Sequence, residues 1–260
     1  MDIDRQNGID LVVGSKADGA AIGWLQSPKN PRDLAAWTYR PFRAAFWVMS
    51  LRAADINGDG FSDILFSDRR GAGGGVGWLE NPGAARNARS AWKEHHIADG
   101  GEQRGPLFLD YADVDGNGKA EIVAAYQPCR IAIFSRASGD AWKTKWLNLT
   151  GDIGGAKAVS VGDLNGDGRA DLVASFEGAK GPLSGIVWLE QLTNGWKMHD
   201  LGGPEGIKYD LAPLIDLDGD GDLDVVTTEE RDQLGVIWYE NPSIQKGGGP
   251  PTSFPGRTPR

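Results

Sequence analysis

The segment Asp55-Ile-Asn-Gly-Asp-Gly-Phe-Ser-Asp63 alternates carboxylate or amide side chains with glycine, and it recurs along the chain. Close variants begin at Asp113 (DVDGNGKAE), Asp163 (DLNGDGRAD) and Asp216 (DLDGDGDLD), and a degraded copy opens the chain at Asp2 (DIDRQNGID). Successive starts lie 53, 58, 50 and 53 residues apart. A repeat of this length points to stacked supersecondary units rather than one irregular domain. Each loop is followed 21 to 25 residues later by an aromatic residue in an apolar run: Trp24, Trp78, Phe134, Trp188 and Trp238. A third marker comes next at Trp37, Trp92, Trp142 and Trp196, the last three followed by Lys.

Working outward from the loop, each unit reads as four short strands. An apolar stretch such as Ala158-Val-Ser-Val precedes the loop, and another such as Leu172-Val-Ala follows it. The aromatic marker sits in a third and the Trp-Lys segment supplies a fourth. Four strands in about 53 residues, rich in glycine and aromatics, predict an all-β propeller of five repeats with the acidic loop between the first two strands of each blade. No stretch of useful length shows apolar spacing of three and four, so a helical solenoid is not expected. The marker aromatics are expected to pack between neighbouring blades. The propeller is assigned to residues 1–242, with repeats centred on 2–10, 55–63, 113–121, 163–171 and 216–224. Residues 243–260 read as a flexible Gly/Pro-rich tail. The first repeat lacks a strand before Asp2 and the fifth lacks a Trp-Lys strand, so the chain is expected to be part of a longer polypeptide and of a larger propeller.

Composition narrows function. The 260 residues carry 27 Lys+Arg against 36 Asp+Glu, a net charge of −9, which disfavours generic binding to nucleic acid or anionic membranes. Sixteen of those acids occupy side-chain positions in the five loops, so the surface elsewhere is less acidic than the total suggests, and the case against nucleic acid rests on the lack of a recognisable motif. No apolar run is long enough to span a bilayer. One cysteine, Cys129, precludes an intramolecular disulfide, and the chain has no Cys/His pairs for a structural zinc site. No secretory leader precedes the first repeat in this sequence.

The loops carry the strongest chemical signal. Calcium takes six to eight oxygens in flexible geometry, and carboxylates interleaved with glycines supply them. Side chains at loop positions one, three, five and nine, with the backbone carbonyl of position seven, are the expected ligands. These are Asp55, Asn57, Asp59, Asp63 and the carbonyl of Phe61; Asp113, Asp115, Asn117, Glu121 and that of Lys119; Asp163, Asn165, Asp167, Asp171 and that of Arg169; and Asp216, Asp218, Asp220, Asp224 and that of Asp222. The first loop offers Asp2, Asp4 and Asp10 but has Gln6 at position five, so it is expected to be the weakest of five calcium sites. Without a cation, each pair of neighbouring carboxylates would repel by about 4 kcal/mol at an effective dielectric near 20. An EF-hand begins alike but needs an acid at position twelve and flanking helices. Here the acid is at position nine and a strand follows.

These repeats resemble the FG-GAP / VCBS family of calcium-binding β-propellers, whose blades carry D-x-[DN]-G-D-G-x-x-D and a later W-[YL]-E-N, matched by WLENP after Gly77 and WYENP after Ile237. The resemblance runs from Asp2 to Pro242 and implies the propeller fold, calcium binding, and an extracellular or periplasmic location.

A ligand site is expected on the face opposite the loops. Arg104, Lys157, Lys208 and Asp210 come there from first strands, and Asp68, Arg69, Glu177, Glu229 and Glu230 from the ends of second strands. A mixed rim of carboxylates and cations suits a polar ligand such as a glycan, or a protein partner. Three functions are open: a non-catalytic binding module, a purely structural scaffold, or, because some propellers of this type resemble sugar dehydratases and lyases, an enzyme of that class in which Lys208, Tyr209, Glu229 and Glu230 would transfer protons. No nucleophile elbow, P-loop or zinc-protease helix is present. His95, His96 and His199 fall beside the Trp-Lys markers, on the strands expected to lie outermost.

Overall fold

The computed structural model describes residues 1–242 except 72, 84–88, 90, 101–104, 152, 181–184 and 203–205. The expected tail, 243–260, lies outside the described residues. Among those described, 18 strands form five antiparallel sheets, with a single turn of 3-10 helix at Leu34–Ala36. The first sheet holds β1 (Leu11–Gly14), β2 (Ala21–Gln26) and β3 (Thr38–Ala44). The second holds β4 (Val48–Ala54), β5 (Asp63–Asp68), β6 (Gly75–Glu80) and β7 (Lys93–Asp99). In the third are β8 (Pro106–Ala112), β9 (Glu121–Tyr126), β10 (Arg130–Arg136) and β11 (Trp142–Asn148). The fourth comprises β12 (Gly155–Gly162), β13 (Asp171–Glu177), β14 (Ile186–Leu192) and β15 (Gly195–Asp200). The fifth has β16 (Leu214–Ile215), β17 (Asp224–Glu229) and β18 (Gly235–Tyr239).

Every sheet is an up-and-down meander in which sequence neighbours pair, so each repeat closes its own hydrogen bonds. The chain divides into two compact units, Met1–Leu107 and Phe108–Arg260. The division falls within β8. In the first unit, Ile22 and Trp24 of β2 pack with Ile64, Phe66 and Leu79 of the second sheet. In the second unit, the fourth sheet is covered on both faces. Leu172, Ala174 and Phe176 of β13, with Val187 and Leu189 of β14, meet Val123, Ala125, Ile131 and Ile133 of the third sheet. The alternate residues Val173, Ile186 and Trp188 meet Val225, Ile237 and Tyr239 of the fifth. Side chains alternate across a strand, so a strand between two cores needs apolar or small residues at nearly every position. That is why β5, β9 and the first six residues of β13 are buried without interruption, while the outer strands β3, β7, β11 and β15 are largely exposed.

The marker aromatics therefore fall where the repeats meet. Trp24 and Trp188 belong to cores shared by adjacent sheets, and Trp78 and Phe134 are equally buried. The residue before Trp78 must be glycine: a Cβ on Gly77 would stand 2.7 Å from the Phe66 ring and 2.8 Å from the His95 carbonyl. Trp238 differs, being 36% exposed on the last strand described. Replacing Trp188 by Ala should accordingly cost about 3–5 kcal/mol of unfolding free energy. Trp238→Ala should cost under about 1 kcal/mol, as at an ordinary surface position. Denaturant unfolding of the two variants checks the contrast.

Candidate functional site

The acidic loops keep one backbone in all five repeats. Glycines at positions four and six take positive φ: 78° and 87° at Gly58 and Gly60, 73° and 83° at Gly116 and Gly118, 69° and 83° at Gly166 and Gly168, 80° and 100° at Gly219 and Gly221. The first loop follows the same path with Arg5 and Asn7 at φ of 56° and 61°. Side-chained residues resist that region by roughly 1–2 kcal/mol, so the first loop holds this shape against local preference. In the second loop Asp55 accepts from the backbone N–H groups of Gly58, Asp59 and Gly60 at 2.8, 3.0 and 2.8 Å. Asp113 does the same with Gly116, Asn117 and Gly118, while Asp163 accepts from Asp167 and Gly168, and Asp216 from Gly219 and Gly221.

Position nine does something the sequence reading did not anticipate. Its carboxylate turns inward and joins two elements. Asp63 accepts from the N–H of Ile56 at 2.9 Å with one oxygen and from Asn81, just past β6, at 2.8 Å with the other. Asp171 links Leu164 to Gln191, Asp224 links Leu217 to Asn241, and Asp10 links Ile3 to Ser27 in the same way. All four are buried. Asn241 continues the chain of contacts, donating to the carbonyls of Leu164 and Leu223, and Gln191 donates likewise to Val114 and Ala170. The polar residue after the aromatic marker thus ties its own loop to the loop of the preceding repeat.

Three clusters bring carboxylate oxygens within 4.8 Å of one another: Asp2, Asp4 and Asp10; Asp113, Asp115 and Glu121; and Asp216, Asp218 and Asp220. These donor sets, all oxygen and all anionic, are of the kind that hold a hard divalent cation. Burial pushes the Asp63 carboxyl up to about 6, with Asp59 adding to it, and raises Glu121 and Asp171 for the same first reason. Asp222 is also pushed up to about 6 by burial, then by Asp220, Asp224 and Asp218. In the first loop an internal cation is already at hand, since Arg89 lies 3.4 Å from Asp4 and 3.5 Å from Gln6. In the fourth, the guanidinium of Arg169 pairs with Asp167.

On the opposite side of the repeats, five of the predicted rim residues come together within the second unit. Lys157, nearly buried, pairs with Asp210 and lies 3.6 Å from Glu230 and 3.7 Å from Glu177. Lys208 binds Glu230 at 2.6 Å, and Gln127 donates to Glu177 at 2.7 Å. Glu177, Gly178, Lys208, Glu230 and Arg231 line an open cleft of about 520 Å³. Arg231 was not anticipated; it lies one residue beyond the expected strand end. The hydrogen bond to Glu230 raises Lys208 above the ordinary lysine value, and the same bond lowers Glu230 below the ordinary glutamate value.

Other predicted positions are placed elsewhere. Tyr209 is fully buried in the core between the fourth and fifth sheets. Glu229 is buried too, and its carboxylate accepts from the N–H groups of Ile207, Lys208, Arg231 and Asp232. Asp68 has the matching role in the first unit, accepting from Phe46 and Trp47 beside Arg43. These three residues hold structure and present no free group to a ligand. Arg69 belongs to the first unit, and Arg104 lies outside the described residues. His95 and His199 sit on the outer strands β7 and β15, bound to Glu80 and Glu190. Burial pushes the Cys129 thiol up to about 11, so it stays protonated and unreactive.

The alternation of acidic loop, buried second strand and aromatic third strand can now be compared with known families. Residues 113–174 match the model described as FG-GAP-like repeat. The matched FG-GAP-like segment contains the third and fourth acidic loops and ends in β13. No curated protein matches the chain.

Glu229 also supplies a pH test. Burial pushes its carboxyl up, but four backbone N–H donors outweigh this and hold it below the ordinary value of 4.5. Its stabilising contribution is therefore complete above about 4.5 and is lost as pH falls through the folded-state value. Glu229→Gln should cost about 1–3 kcal/mol at pH 7. The gap between wild type and variant should narrow in melts recorded below pH 4.

Proposed function

We propose that the chain is a calcium-stabilised β-propeller that acts outside the cytoplasm as a non-catalytic binding module, recognising a glycan on the face opposite the acidic loops. The observation that carries this reading is the ion network around the cleft of Glu177, Lys208, Glu230 and Arg231. A mixed set of fixed donors and acceptors in an open, polar cleft suits a hydroxylated ligand, which needs many hydrogen bonds and little apolar burial. Proton-transfer chemistry is less well served. Lys208 is held protonated and Glu230 ionised by each other, whereas a general base or acid needs a value near the working pH. The two remaining candidates, Tyr209 and Glu229, are buried in structural roles.

Calcium is supported by the all-oxygen loops and by the carboxyls of Asp63, Glu121, Asp171 and Asp222, raised first by burial and further by neighbouring carboxylates whose repulsion a divalent ion would relieve. A propeller is supported by five successive up-and-down sheets, of which the second, third and fourth have largely buried second and third strands and largely exposed fourth strands.

Adding millimolar calcium to chelator-treated protein should raise its melting temperature, by the equivalent of about 2.7 kcal/mol at a hundredfold excess over the dissociation constant. Asp113→Ala combined with Asp216→Ala should shrink the rise. An unchanged melting temperature overturns the calcium assignment. On a glycan array, Lys208→Ala and Glu230→Ala should each weaken the bound signal by about tenfold, the loss of one charged hydrogen bond. Binding that is indifferent to both overturns the cleft as the site.

A further inference from the structure

Between the first and second sheets, on the side away from the acidic loops, the first unit carries the same backbone frame as the cleft of the second unit with a different set of side chains. Trp47 bridges to Lys16 as Lys208 does to Glu177. Asp68 accepts from the N–H groups of Phe46 and Trp47, as Glu229 does from those of Ile207 and Lys208. Counted from the inward acid of each loop, Lys16 and Arg69 stand where the second unit has Glu177 and Glu230, and Arg70 stands where it has Arg231. Two carboxylates and a lysine are thereby exchanged for two cations and an indole.

The frame is tied down on both sides. Ala17 donates its N–H to the carbonyl of Phe46 at 3.0 Å, Val48 to that of Ser15 at 3.1 Å, and Arg69 to that of Trp47 at 2.9 Å. The Lys16 ammonium lies 5.7 Å and the Arg70 guanidinium 4.5 Å from the centroid of the Trp47 ring. Attraction to an exposed aromatic face, about 0.5–1 kcal/mol, holds a cation in place and leaves its charge unneutralised. Among the described residues neither Lys16 nor Arg70 forms an ion pair; Asp18, two residues past Lys16, pairs with neither, and Asp68 is buried on Phe46, Trp47 and Arg43. Beside them Phe46 is 49% exposed, and its ring rests on Gly71, where a Cβ would stand 2.3 Å away.

We propose that Lys16, Arg70 and Phe46 form a second binding site, separate from the cleft of the second unit, for an acidic sugar. The carboxylate of a uronic-acid residue meets the two cations, and the C–H face of its ring covers Phe46. A guanidinium held flat by an indole presents its N–H fork to a carboxylate in the bidentate geometry that arginine favours. A neutral sugar leaves both charges unmet. A nucleic-acid strand is the poorer occupant, since the net charge of −9 opposes a long polyanion and a base stacking on Trp47 has to displace the cations already there.

The test uses the full chain in calcium-containing buffer, titrated calorimetrically with trigalacturonate and with its methyl ester, which keeps the rings and removes the charge. Trigalacturonate should bind with a Kd below about 1 mM, and the ester at least about tenfold more weakly. Lys16→Glu and Arg70→Glu alter exposed side chains and should each weaken trigalacturonate by about tenfold or more, with melting curves showing that both variants fold. Arg70→Lys, which keeps the charge and loses the fork, should fall between wild type and Arg70→Glu. The proposal is overturned if trigalacturonate shows no saturable binding, if the ester binds equally well, or if neither charge reversal changes the affinity. If Lys208→Ala abolishes binding and Arg70→Glu does not, the acidic sugar belongs to the cleft of the second unit, which overturns this site and leaves that one standing. Tighter binding of an oligothymidylate than of trigalacturonate, lost in the same two charge reversals, overturns the sugar assignment in favour of single-stranded nucleic acid.

Discussion

The inward carboxylate at position nine is the contact on which each repeat depends. In four repeats it accepts one N–H from the second residue of its loop and another from a residue near the end of the third strand, and in the third repeat Glu121 accepts from Val114. Those two donors would otherwise be buried without partners, and an unsatisfied buried polar group costs about 1–3 kcal/mol. A buried carboxylate is itself costly, and Asp63 shows that strain in its raised pKa. The arrangement persists because the same acid closes the loop, fixes the start of the second strand and sets where the third strand stops. In the first and third loops the position-nine acid also keeps a carboxylate oxygen within 4.8 Å of those at positions one and three. The clamp and the candidate metal ligands are thus parts of one device.

From this constraint the outer architecture follows. Once the second and third strands are pinned, their alternating side chains lie between neighbouring sheets, as Phe176 and Val173 do on opposite faces of β13. The fourth strand reaches the cores only through single apolar residues, Phe42 of β3, Leu147 of β11 and Trp196 of β15, and is otherwise held by its register with the third. Its polar residues therefore pair back across the sheet, with the histidine stacked on tryptophan and bound to glutamate. The tryptophan has two jobs: one face fills the core between sheets and the other carries the outer strand.

Much of this was legible in the sequence because the repeats align. The five loops, their order, the aromatic third strand and the exposed Trp-Lys strand are all visible as spacing. What spacing alone did not show was the side to which individual rim residues turn, yet the aligned repeats contain that information. The residue five places after position nine is Asp68, Tyr126, Phe176 or Glu229, and the apolar members show that this column faces inward. The next column, Arg69, Gln127, Glu177 and Glu230, faces outward. Reading Asp68 and Glu229 as rim groups because they are charged gave residue type more weight than parity. The same parity separates Tyr209, which is buried, from Lys208 and Asp210 on either side of it. The inward turn of position nine was less accessible, because an acid at that place satisfies both a metal cage and a pair of backbone donors.

The division of labour between columns also explains why charge can be concentrated on the rim without destabilising the sheets. Glu229 and Asp68 use their charge to fix the segments Ile207–Lys208 and Phe46–Trp47, which begin the run into a first strand. Those segments bridge to neighbouring strands: Lys208 pairs with Glu177, and Tyr209 with Glu229. Lys208 is thereby held between the ends of β13 and β17, and its ammonium meets Glu230 without relying on a long flexible loop. A surface ion pair between mobile side chains contributes little, because ordering both offsets the attraction. Here the backbone bridges have already ordered the segment, and Lys157 beneath it is nearly buried among three carboxylates. The rim of the second unit is consequently preorganised by backbone bridges and buried charge.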